Sequence, residues 1–200
     1  MYIMKVKIIL ASKSPRRIAI LKQIGVDFES VSSTFTEAKS LEDVNISGVK
    51  KLVINNAKGK AMDVVSKLGD GIFLGVDTLI VCESKILGKP KDKKDAKKML
   101  NFLSGKMHRV FSAIALIKKE KNKLEVLSAC DIAKVYFKFL SNKEIDDYVA
   151  SGEPLDKAGG YGIQEKGAKF IKKIVGDYYT VVGLPLAKLL DIGRKMNIEI

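Results

Sequence analysis

The run Val6-Lys7-Ile8-Ile9-Leu10-Ala11-Ser12-Lys13-Ser14-Pro15-Arg16-Arg17 passes from strand to helix within a dozen residues. Val6 to Leu10 is apolar and reads as a buried strand, while Ser14 stands where an N-cap belongs and Pro15 at the first helical position. Ile18, Leu21 and Ile24 continue as a helical stripe that Gly25 ends. Arg16 and Arg17 fall in the first turn, where each opposes the helix dipole by about 0.3–1 kcal/mol, and no acidic residue in the turn offsets them. Such a local conflict marks a functional site. Free backbone N–H groups, the hydroxyls of Ser12 and Ser14 and two guanidinium forks would together hold a phosphate. A solvated basic turn is the competing reading of the same residues.

Working outward, Asp27 to Ser32 reads as a second strand and Ser33 to Asp43 as a polar loop containing Glu37. Val49, Leu52, Val53, Ala57, Ala61, Val64, Val65 and Leu68 recur at threes and fours and predict a long helix, stopped by Gly69. Lys60 projects from the edge of that apolar stripe, from which it can snorkel or reach into a cleft. Ile72 to Cys82 predicts a strand that returns through Glu83-Ser84-Lys85 as a hairpin ending at Pro90. Asp92 caps a helix through Leu103, and Arg109–Ile117 and Leu124–Leu140 form an antiparallel pair around the turn Glu120 to Lys123. A helix over Asn142–Ala150, the Gly-rich segment Ser151–Gly162, the runs Lys169–Val175 and Tyr178–Gly183 and a final helix from about Leu184 to Met196 follow. Hairpins mixed with crossover helices predict an α/β fold with a mixed twisted sheet and flanking helices, not a fully parallel sheet.

Two hundred residues at 46% hydrophobic content suffice for a sizeable core, so residues 1–200 read as a single domain, at most two lobes sharing a sheet. No apolar run approaches a membrane span and the N-terminus lacks a signal-peptide pattern, which places the chain in the cytoplasm with no membrane partner. Cys82 and Cys130 sit in apolar runs without metal-type spacing and read as reduced core thiols. The net charge of +13 is compatible with weak non-specific nucleic-acid affinity, but the lysines are scattered in pairs, and no helix-turn-helix, RNA-binding or zinc-finger spacing is present. His108 is the sole histidine and has no evident catalytic partner, so it reads as a structural or surface residue. The sequence leaves homodimerisation open.

Asp77 interrupts the otherwise apolar run Leu74-Gly75-Val76-Asp77-Thr78-Leu79-Ile80-Val81, and a carboxylate there must be paired or bound to a metal. A structural salt bridge would satisfy it equally well. Lys89, in Gly88-Lys89-Pro90 at the end of the adjacent hairpin, can bring a cation to the same strand edge. Gly159-Gly160-Tyr161-Gly162-Ile163-Gln164 permits close backbone approach beside an aromatic ring and an amide, yet no P-loop lysine or dinucleotide fingerprint accompanies it.

Taken in order, these pieces resemble the Maf proteins, septum-formation-inhibitor-like nucleotide pyrophosphatases. The resemblance rests on Ser12 to Arg17, Glu37, Ala57-Lys58-Gly59-Lys60-Ala61, Gly75-Val76-Asp77-Thr78 and Leu87-Gly88-Lys89-Pro90-Lys91-Asp92. It continues through Leu103-Ser104-Gly105, His108-Arg109-Val110, Asp156 to Gln164 and Val182-Gly183-Leu184-Pro185. Each motif is weak alone; the ordered set is specific and covers nearly the whole chain. Met107 and Glu165 depart from the family's usual residues and bear on substrate preference more than on the reaction.

The resemblance implies two lobes around a cleft, in the manner of inosine-triphosphate pyrophosphatases, and hydrolysis of a nucleoside triphosphate to monophosphate and pyrophosphate. It implies that Asp77 is the proton acceptor and that Arg16, Thr78 and Gln164 occupy the positions that separate thymidine- and uridine-triphosphate enzymes from purine-directed ones. On this reading Ser12, Ser14, Arg16 and Arg17 bind phosphate, Lys60 and Lys89 neutralise it, and Glu37 and Asp77 hold a divalent cation, Mg²⁺ or Mn²⁺. Gln164 can hydrogen-bond a pyrimidine edge. Modified pyrimidine nucleotides are an alternative substrate class. A nucleic-acid-binding or regulatory role in cell division is the alternative outside enzymology.

Overall fold

The computed structural model describes residues 4–5, 7–38, 40–121 and 123–200. A two-stranded parallel pair joins β1 (Met4–Lys5) to β9 (Ile198–Glu199) near the two ends of the chain. The remaining strands form one seven-stranded mixed sheet: β2 (Ile8–Leu10), β3 (Phe28–Ser30), β4 (Gly71–Cys82), β5 (Lys85–Leu87), β6 (Met107–Glu120), β7 (Lys123–Phe137) and β8 (Ile171–Val175). Its order is β3-β2-β4-β6-β7-β8, with β5 also on β4. The β3, β2 and β4 strands run parallel, whereas every pairing from β4 to β5, β6, β7 and β8 is antiparallel. The expected mixed α/β sheet is therefore present.

Side-chain alternation along β4 and β6 divides the core between two faces. Ile72, Leu74, Val76, Ile114 and Leu116 pack with α1 (Pro15–Gln23) and α6 (Leu186–Lys195). Further along the same strands, Ile80 and Val110 pack with α3 (Lys93–Leu103) and α4 (Asn142–Ala150). The intervening residues, Phe73, Leu79, Phe111, Ala113 and Ala115, face α2 (Ile46–Val65). A short α5 (Tyr178–Val182) precedes α6.

Gly75 decides how close α2 can lie. A Cβ there would fall 2.0 Å from the Ala57 carbonyl oxygen, so only glycine lets the helix backbone rest on the strand at this point. The β4–β5 turn places Glu83 and Ser84 at φ 46° and 61°, the left-handed pair that matches hairpin twist.

Several boundaries differ from the sequence reading, each for a local reason. Val6 lies outside the described residues, and the described part of that strand is Ile8–Leu10. The α2 helix begins three residues before its apolar stripe, because Asn45 caps it by accepting a hydrogen bond from the Gly48 N–H at 2.8 Å. Ser14 has the extended backbone of an N-cap, but its hydroxyl makes no capping bond. The β7 strand stops at Phe137, since Lys138 turns its N–H to the Phe170 carbonyl and Leu140 turns its own to the Ser104 hydroxyl. Asp92 caps α3 as expected, and Ser141 with Glu144 forms a capping box at α4. Cys82 and Cys130 are both free thiols. Among the described residues, no helix is long and apolar enough to cross a membrane.

Candidate active site

On one side of β4, β2 pairs with Ile72–Leu74 and β5 with Ile80–Cys82, which leaves Gly75–Leu79 without a strand neighbour between them. The sheet is forked here, and a cleft of about 460 Å³ opens at the fork. Strand alternation sends Asp77 toward α2 and Thr78 toward the opposite face, so the opening is lined from both sides of the sheet.

On the α2 side, Asp77 is 3% exposed and both of its carboxylate oxygens are engaged. Lys60 donates from Nζ to Asp77 Oδ1 at 2.7 Å and to Glu37 Oε1 at 2.6 Å, with the Val76 carbonyl at 3.3 Å. Asn56, one helical turn earlier, donates from Nδ2 to Asp77 Oδ2 at 2.9 Å. Glu37 reaches this point because its loop is fastened to α2. Thr34 bonds Asp63 through both its N–H (2.8 Å) and its hydroxyl (3.0 Å), and the Phe35 ring lies where a Cβ on Gly59 would come within 2.3 Å.

On the other side, α1 presents its two arginines. Arg17 donates to the Gly183 carbonyl at 3.0 Å, to Ser12 Oγ at 3.0 Å and to Thr78 Oγ1 at 3.2 Å. Thr78 in turn shares a 3.0 Å hydrogen bond with Ser112, its cross-strand neighbour. Arg16 donates to Asp156 Oδ2 at 2.9 Å and to the Asp156 carbonyl at 3.3 Å. Lys89 stands exposed at the rim, and its hairpin is tied to the Gly-rich segment by the Gly159 N–H donating to the Gly88 carbonyl at 2.9 Å.

The charges fit an anion. Five cationic side chains (Arg16, Arg17, Lys60, Lys89 and Lys157) line the main cleft against two carboxylates, Glu37 and Asp77. Burial disfavours the charged form of Glu37, but Lys60, with help from Lys89 and Arg17, outweighs it and holds the carboxyl below its ordinary range. Desolvation draws the Arg17 guanidinium down to about 10, partly opposed by Asp77, so it remains protonated at neutral pH. Ser12 and Ser14 border the adjoining recess at the start of α1, where the free N–H groups of the helix are not capped by a side chain.

The structure thus brings together Ser12, Ser14, Arg16, Arg17, Glu37, Lys60, Asp77, Thr78 and Lys89. Gln164 is exposed on the turn after the Gly-rich segment and is not among the residues lining the cleft. His108 is fully buried, hydrogen-bonded through Nε2 to the Tyr161 hydroxyl at 2.7 Å, and has no part in the cleft lining, whereas Tyr161 does. Sequence reading missed Asn56, although it carried a readable signal, a polar residue on the apolar stripe of α2. Asp156 opens a motif the sequence displays, but its pairing with Arg16, 140 residues away, had no local signal.

The Maf-like protein family model matches residues 7–196. The chain belongs to the Maf family. Proteins named dTTP/UTP pyrophosphatase from Bacillus anthracis and from Bacillus cereus strain AH820 are each 45% identical to it over 194 residues, 97% of either chain. One of the same name from Bacillus thuringiensis subsp. konkukian is likewise 45% identical over 194 residues. As a Maf protein the chain combines this cleft with a limited set of metal donors. Among the described residues no three His, Cys, Asp or Glu side chains are grouped to hold a metal. Glu37 and Asp77 would supply two hard oxygen donors, which fits a divalent cation taking its other ligands from water and substrate phosphate. Lys60 lies between those two carboxylates, supplying the positive charge they need.

Proposed function

We propose that this Maf protein, one domain over residues 1–200, hydrolyses dTTP and UTP to the nucleoside monophosphate and pyrophosphate. The meeting of a Lys60-bridged acidic pair with four further cations at the fork in β4 carries the reading of the reaction. The names of the relatives at 45% identity supply the choice of base.

In the mechanism that follows, the N-terminus of α1 with Ser12, Ser14, Arg16 and Arg17 receives the phosphate chain, and Lys60 and Lys89 complete its neutralisation. Asp77 accepts a proton from water as that water attacks the α-phosphorus; the bond to the bridging oxygen breaks and pyrophosphate leaves with the electron pair. Cations already fixed in place stabilise the charge that develops on the leaving group. Glu37 and Asp77 would hold a divalent cation, which when bound supplies Lewis-acid polarisation of the phosphate oxygens. Arg16 and Thr78, which line the cleft, are assigned to pyrimidine selection, and Gln164 joins them by its place in the motif.

Pyrophosphate release from the four common ribonucleoside triphosphates, dTTP and a set of modified pyrimidine triphosphates, with and without Mg²⁺ or Mn²⁺, tests this. Metal-dependent turnover of dTTP and UTP above all purine nucleotides is expected. Turnover confined to the modified nucleotides would replace the assigned substrate. Silence across the panel, with salt-dependent nucleic-acid binding instead, would replace the reaction.

A further inference from the structure

We propose that Asn56 is a positioning residue for the reaction, one that fixes the Asp77 carboxylate and sets Glu37 in register with it; the inference rests on the role assigned to Asp77 above. Asn56 is 1% exposed, in the middle of the α2 face that packs on the sheet. A polar side chain in that setting costs stability unless every hydrogen-bonding group is satisfied. Here each has a partner. Nδ2 donates to Asp77 Oδ2 at 2.9 Å and to the Ala38 carbonyl at 2.9 Å, and Oδ1 accepts from the Ala38 N–H at 3.1 Å. Two acceptors facing one end of the amide and an N–H facing the other leave a single orientation for the side chain.

Two consequences follow from those three bonds. With Oδ2 held by the amide and Oδ1 by Lys60, the plane of the carboxylate is set from both sides, so Asp77 enters the reaction already oriented. The pair of bonds to Ala38 clamps the residue next to Glu37, so the loop that brings the second carboxylate is referenced to the same side chain that holds the first. Asn56 itself does not line the cleft. It acts through its neighbours, and its effect belongs on turnover and not on substrate affinity. Positioning errors of this kind cost up to about a hundredfold in rate.

A double-mutant cycle on dTTP hydrolysis decides the matter, with folding of each variant checked by thermal denaturation. Asn56→Leu fills the volume while removing all three bonds. It is expected to lower kcat by about ten- to a hundredfold with KM changed by less than about threefold. In the Asp77→Asn background the same substitution is expected to cost less than about threefold, because residues that act as a unit are not additive. The same cycle with Asn56→Ser, which leaves room for water in place of the amide, serves if the leucine variant does not fold. An equal loss of kcat in both backgrounds, a loss confined to KM, or wild-type kcat in a folded Asn56 variant would overturn the proposal. Wild-type turnover by Asp77→Asn alone would instead remove the role of Asp77, and this inference with it.

Discussion

Lys60 holds the site together at the scale of single residues. Its ammonium pairs with both Glu37 and Asp77, at 2.6 and 2.7 Å, and its side chain is only 11% exposed. Removing it leaves two carboxylates facing each other in a partly buried space, where breaking a buried pair costs about 3–5 kcal/mol. Lys60→Met is therefore expected to lower both the melting temperature and kcat, while Lys60→Arg, which keeps the charge but not the compact point geometry, recovers stability more than turnover. Arg17 presents the complementary case. Its guanidinium meets three different acceptors, Gly183, Ser12 and Thr78, and a lysine cannot reproduce that fork. For Arg17→Lys the expected outcome is a raised KM for dTTP, with kcat/KM measured against wild type as the check. The sequence made these residues conspicuous, because arginines in a first helical turn and a carboxylate in an apolar strand both break local rules. Asn56 broke a rule of the same kind, a polar residue on an apolar stripe, but one amide is a weaker anomaly than a buried charge.

Among the elements, the contact between α2 and β4 aligns the chemistry. Gly75 and Ala57 allow backbone to rest on backbone, and this close approach is what lets Asn56 and Lys60, one turn apart, both reach Asp77. Gly75→Ala would push a methyl group to 2.0 Å from a carbonyl oxygen, so helix and strand must separate. A loss of about 1–3 kcal/mol in denaturant unfolding is expected, together with reduced turnover. Retention of both full stability and full activity would contradict the account of this contact. Most strands and helices were readable from periodicity, and the cap at Asp92 from residue type, whereas the short β1–β9 pair and the Ser141 cap emerge only in the structure. The fork in β4 was not readable either. It depends on β2 and β5 both pairing with the same side of one strand at different heights, and pairing partners are set by long-range register that no local pattern encodes.

For the whole molecule, the mixed sheet joins a parallel part, ending in the strand-to-helix turn at Ser12–Arg17, to an antiparallel part built on the long β6–β7 hairpin. His108 lies in the second part, and burial holds it down to about 4 from its ordinary 6.5. The unfolded chain therefore binds a proton that the folded chain refuses between those two values. Stability contributed by neutral His108 is complete above about pH 6.5 and is lost as pH falls toward 4, a change of about 3 kcal/mol at 1.4 kcal/mol per pKa unit. His108→Phe should flatten the difference between melting temperatures at pH 7 and pH 5, and an unchanged slope would show that other groups carry it. The family resemblance was readable across the chain because its motifs keep their order. Gln164, by contrast, could be assigned only by motif, and its exposed position shows that a matching residue type does not fix where a side chain stands.

Asp77 stands at the fork of β4, where the cation-lined cleft meets α2. The decisive comparison is the rate of pyrophosphate release from dTTP by wild type and by Asp77→Asn at saturating substrate and metal, with both proteins shown to be folded. A general base contributes about 10²- to 10⁴-fold, so a loss of that size with the melting temperature preserved is the predicted result. Release by a folded Asp77→Asn enzyme within about tenfold of wild type would contradict the assignment of the base and of the site built around it.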